Sequence, residues 1–135
     1  MSRFWPVRST GVLVVALLVA ACGGHARADD QAFHQAWSQG RANAEVVFDG
    51  TLVQDPVQVG THEHLVVRTP TGETVEVDHN TDLAPSVPAH TRDKVVIQGV
   101  LYDDSGREGV HCTHAATSTG CPYGGWIELQ GQYYE

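Results

Sequence analysis

The sequence has a single lysine, Lys94, and its 8 Lys and Arg face 16 Asp and Glu among 135 residues, a formal net charge of −8. A chain this acidic offers no basic footprint for a phosphate backbone, so nucleic acid is not an expected partner. Large aromatics are also scarce. Three Phe and three Trp suit only a modest core, although 41% apolar residues spread along the chain argue against wholesale disorder. The length fits one small domain, and no internal repeat is visible. No Gly-x-Ser-x-Gly elbow occurs, and Ser38, Ser86, Ser105 and Ser118 sit in polar stretches, which argues against covalent serine catalysis.

The longest apolar run, GVLVVALLVA from Gly11 to Ala20, is too short for the roughly 20 residues of a membrane-spanning helix. It follows Arg3 and Arg8 with no acidic residue nearby, the pattern of a secretory signal peptide over 1–21. The run ends in Val19-Ala20-Ala21-Cys22, which resembles a bacterial lipobox. In that reading the Cys22 thiol takes up diacylglycerol, and its acyl chains anchor the protein at about 0.8 kcal/mol per buried methylene. The plainer alternative is an ordinary signal cut after Ala21 or Ala28. Loss of Arg3 and Arg8 would leave six basic and sixteen acidic residues in the mature chain. Gly23 stands where an aspartate commonly signals inner-membrane retention, which tilts the expectation toward the outer membrane. The expected location is the cell envelope, facing the periplasm or the cell surface, with residues 22–30 as lipidated cysteine and tether.

One domain is expected over 31–135. Asp29 or Asp30 can cap a helix in which Phe33 and Trp37 share a face and which Gly40 ends. From Ala44 the apolar period changes to two. Strands are predicted at Glu45 to Val53, His64 to Thr69, Thr74 to His79, Lys94 to Tyr102, Gly109 to Thr113 and Trp126 to Leu129. Pro70-Thr71-Gly72 predicts a tight hairpin with Leu65 opposite Val77 and Val67 opposite Val75 on the core side, and His64 opposite Asp78 outside. A second hairpin turns at Asp103 to Gly106. Asn80 to Arg92 holds two prolines and no period, and reads as a long loop of the kind that often carries function. Together these elements predict a mainly β fold, a small OB-like antiparallel barrel of five to six strands with one short N-terminal helix. A two-layer sandwich is the runner-up.

With Cys22 acylated, Cys112 and Cys121 remain, nine positions apart in an oxidising compartment, and are expected to form a disulfide worth roughly 2–3 kcal/mol. The rival is a zinc site of Cys112, His114 and Cys121, with or without His111.

Eight histidines are present, and the informative ones are His79 in HNTDLAP with His111 and His114 in VHCTHAA. At these segments and at GGWIELQGQYY the chain resembles a family of small bacterial secreted proteins, domain of unknown function 3465. The likeness runs over most of residues 43 to 135. His62 answers to the family's first histidine; His79, Asn80, Asp82, Leu83, Ala84 and Pro85 to its second segment; His111, Thr113 and His114 to its third; Trp126, Ile127 and Gly131 to its last. Departures are Ser86 for an arginine, Arg92 for a glycine, Cys112 for a tryptophan, Ala115 to Thr117 for His-Asp-Pro, and Cys121 for a later histidine. The resemblance implies a fold and a residue set but no activity.

The candidate ligand or metal site is therefore His79, Asn80, Asp82, His111 and His114. If the three imidazoles converge beside Asp82 they suit a divalent ion with an open position for water, and hence hydrolysis. In a regular strand His111 and His114 point to opposite faces, so convergence requires the strand to end or bulge near Cys112. A structural reading has His79 and Asn80 pinning the long loop. The expectation is a non-catalytic binding or accessory module without cofactor, meeting an envelope protein or small ligand. The alternative is a metal-dependent, phosphodiesterase-like hydrolase.

Overall fold

Alternation closes this chain on itself. A computed structural model describes residues 24–135 apart from 105 and 118, so the segment read as a signal peptide and Cys22 lie outside the described residues. The elements are α1 (Asp30–Ser38), β1 (Glu45–Leu52), β2 (Val57–Val59), β3 (His62–Arg68), β4 (Thr74–Asn80), β5 (Lys94–Asp104), β6 (Arg107–His111), β7 (Trp126–Leu129) and β8 (Gln132–Tyr134). Five of them form a barrel in the order β1-β3-β4-β6-β5, closed by β1 pairing with β5 from Glu45↔Val100 to Thr51↔Lys94. The barrel is OB-like, as expected. Its one departure from the antiparallel pattern is β4 with β6, which run parallel through Val77↔Val110.

The expected hairpin register holds: Leu65 faces Val77, Val67 faces Val75 and His64 faces Asp78. Gly72 at φ +103 supplies the left-handed turn residue. Inward side chains of β1, β3, β4 and β5 alternate with outward ones, and Phe48, Leu65, Val67, Val75, Val77 and Ile97 are fully buried. The helix begins where the Asp29 carboxylate accepts from the Ala32 N–H at 2.9 Å, and Gly40 at φ +59 follows its end. Phe33 stacks on Phe48 with centroids 4.1 Å apart, a burial that stabilises by about 1.5–3 kcal/mol. A second tie runs from His34 to Glu73, whose carboxylate also accepts from Thr69 and Thr71.

Two short strands were not legible in the sequence. β2 pairs with β3 at Gln58↔Glu63, and β8 folds back on β7 through a turn with Gln130 at φ +52 and Gly131 at φ +83. The long loop after β4 is not solely a surface connection, because Ala84, Val87 and Ala89 are buried and the latter two join the core. The segment read as a tether is docked at its far end: His25 stacks on Tyr133 at 3.6 Å and meets Trp126 edge-on at 5.2 Å, and the Asp29 N–H donates to Val47 at 2.8 Å. Among the described residues no helix is long and apolar enough to cross a membrane.

Candidate functional site

β6 and β7 lie on the same edge of β5, end to end. β6 pairs as far as His111↔Val100, and pairing resumes with Trp126↔Gln98. Between them residues 112–125 leave the sheet and return. The exit is sharp because Cys112 adopts φ +57, and the base is narrow because the two backbones meet at glycines. A Cβ on Gly99 would sit 2.5 Å from the His111 carbonyl oxygen. The Gly125 N–H donates to the His114 carbonyl at 2.8 Å. A disulfide from Cys112 to Cys121, Cα atoms 5.4 Å apart, cross-links the excursion. Both cysteine sulfurs are thereby unavailable to a zinc ion.

This turn brings together two of the expected histidines. His111 and His114 line a cleft of about 180 Å³ with His62, Asp78, Asn80, Leu83 and the disulfide. The His114 Nδ1–H donates to the Ala115 carbonyl at 2.8 Å. The edge of Tyr102 meets His111 at 5.3 Å. Burial chiefly lowers the His111 pKa; Asp78 and Asp104 oppose that, and the neighbouring His114 and His62 reinforce it.

His79 takes no place in the cleft lining. Period two turns it inward in line with Val75 and Val77, and it is fully buried. Its Nε2–H donates to the Pro85 carbonyl at 2.9 Å, which fixes the tautomer, and Nδ1 accepts from the Thr113 hydroxyl at 2.8 Å. Burial is the main cause of a lowered pKa, so the ring is neutral, and both nitrogens are committed to tying the long loop to the Cys112 turn. Beside it the buried Glu63 accepts the Val87 N–H at 2.9 Å. Asn80 does line the cleft and also accepts the Asp82 N–H at 3.0 Å, whereas Asp82 itself is exposed and outside the lining.

The sequence reading did not include His62 and Asp78 in the site. Alternation on β3 and β4 carried the signal, since His62 faces Asn80 and His64 faces Asp78 on the outward side. Tyr102 donates to Asp78 Oδ2 at 2.8 Å, and both burial and that carboxylate push the Tyr102 pKa up. Among the described residues the one convergent set of metal-ligating side chains is His64, Glu76 and Asp78, while His79, His111 and His114 form no such set. This set, and the cleft wall formed by His62, Asp78 and Asn80, occupy the outward face of the second and third barrel strands, where OB barrels commonly bind ligands.

A model for the family described as protein of unknown function (DUF3465) matches residues 13–135. A search of curated proteins finds no match.

Proposed function

The chain belongs to the DUF3465 family, whose function is unknown, and from that premise we propose that it is a lipid-anchored cell-envelope protein whose barrel serves as a non-catalytic binding module. The anchoring half of this reading is supported by the signal-like segment and Cys22 in its lipobox-like setting. The observation that carries the binding half is the cleft between β3, β4 and the 112–125 excursion, where His62, His111 and His114 meet on the face such barrels use. Its rim is held by the disulfide, and its floor is tied by His79 to Thr113 and Pro85. A fixed, half-open cleft lined by imidazoles suits a polar ligand that both donates and accepts hydrogen bonds. The net charge of −8 disfavours polyanions.

The hydrolase alternative loses support from the same geometry. His79 could join a shared ion only by giving up its Nδ1 bond from Thr113 or its Nε2–H bond to Pro85, and Asp82 lies outside the cleft.

The test follows the full chain expressed in a bacterium fed an alkyne palmitate. The wild type is expected to incorporate the label and pellet with membranes, and Cys22→Ser to do neither; an unlabelled wild type would overturn the anchoring. For the cleft, envelope components cross-linked to the wild type should be lost in His62→Ala, His111→Ala while circular dichroism is unchanged. An identical cross-link pattern in wild type and variant would remove the cleft from the reading.

A further inference from the structure

We propose that the outward face of β3 and β4 carries a site for one divalent transition-metal ion, zinc being the best fit, formed by His64, Glu76 and Asp78. The backbone supplies the convergence. Glu76 and Asp78 are two apart on β4 and therefore share a face, and His64 is paired with Asp78 and diagonal to Glu76. The Nδ1 of His64 stands 3.3 Å from Asp78 Oδ1 and 3.4 Å from Glu76 Oε1. One ligand atom from each residue lies within 4.8 Å of the others. A tetrahedral ion with bonds of about 2.0–2.1 Å requires ligand atoms roughly 3.3 Å apart, so the two spacings from His64 already match.

A second observation points to an ion rather than to a local hydrogen-bonded cluster. Asp78 Oδ1 is buried and has no hydrogen-bond partner. His64, although near it, has hydrogen-bond geometry to neither carboxylate. A buried, unsatisfied carboxylate oxygen is costly, and a cation would satisfy it. The other oxygen, Oδ2, is held by the Tyr102 hydroxyl at 2.8 Å. That is the outer hydrogen bond which typically orients a ligating carboxylate.

The donor set selects the class of ion. One imidazole and two carboxylates, leaving a coordination position for water, suit zinc and its neighbours in the first transition row. Calcium prefers six to eight oxygens, and three side chains do not provide them. The side chains of His64, Glu76 and Asp78 are 24%, 33% and 18% exposed, so an ion could enter from solvent. Arg107 is the competitor. Its exposed guanidinium pairs with Glu76 Oε1, the oxygen that would ligate, and a solvent-exposed pair of this kind is weak enough for an ion to displace. The site depends neither on acylation of Cys22 nor on the ligand of the neighbouring cleft.

The test titrates chelator-stripped full-length protein in detergent with Zn²⁺ by calorimetry and with Co²⁺ by visible absorption. The expected result is one ion per chain with the intense absorption of tetrahedral Co²⁺. His64→Ala and Asp78→Asn should abolish binding, and Tyr102→Phe should weaken it about tenfold. Arg107→Gln should tighten it, a gain that damage to the fold would not produce. Absence of stoichiometric binding in the wild type would overturn the proposal. So would binding that survives His64→Ala and disappears in His111→Ala, which would put the ion in the cleft.

Discussion

Gly125 lies so close beneath Cys112 that a Cβ on it would stand 1.9 Å from the Cys112 carbonyl oxygen and 2.6 Å from that of Gln98. Both obstacles are backbone, so no rotamer change relieves them. Gly125→Ala is expected to destabilise the fold by about 3 kcal/mol or more, read as a drop in the urea midpoint. Its neighbour provides the control. At Gly124 the nearest atom to an added Cβ is 3.7 Å away, so Gly124→Ala should stay within about 0.5 kcal/mol of wild type. Equal effects at the two positions would refute this account of the narrow base.

Arg92 occupies a left-handed backbone conformation, φ +75, at the position where the family resemblance places glycine. The exposed side chain carries a conformational penalty that glycine would not, and the 2.8 Å bond from the Arg92 N–H to Leu52 survives the exchange. Arg92→Gly is therefore expected to stabilise by about 0.5–1 kcal/mol. Thermal melting of the two proteins checks it, and a lower midpoint in the variant would contradict the strain.

Stability should fall as pH drops below about 6.5. Burial lowers the His79 pKa in the folded protein, so between its unfolded and folded values the unfolded chain binds a proton that the native state refuses. His79 therefore contributes fully above the unfolded value, and its contribution shrinks as pH falls toward the folded one. The slope for one such proton is at most about 1.4 kcal/mol per pH unit. His111, lowered in the same direction, adds to the wild-type dependence. Urea unfolding from pH 7.5 to 5 should show a shallower slope in His79→Gln than in wild type, and parallel curves would refute the neutral, buried ring.

Much of the fold was legible because short-range signals agreed with one another. Alternation over Leu65 to Val77 and the turn chemistry of Pro70 to Gly72 both demanded the observed hairpin register, and the Phe33 and Trp37 spacing with Gly40 marked the helix. β2 and β8 have three residues each, too few for any period to register. The burial of His79 was also legible, since Val75, Val77 and His79 share one parity along β4, which agrees with the reading of His79 as a pin for the long loop.

What the amino-acid sequence determined on its own was local: strand and helix identity, the hairpin register and the nine-residue spacing of the bridged cysteines, all properties of residues close along the chain. Which imidazoles share a cleft was decided only when the barrel closed. Parallel pairing of β4 with β6 and the left-handed turn at Cys112 bring His62, His111 and His114 to one place and leave His79 beneath it. The reason is geometric. Ligand contact is set by ångström distances between strands remote in sequence, and those distances follow from barrel closure and the pairing of distant strands, which no short stretch of residues encodes.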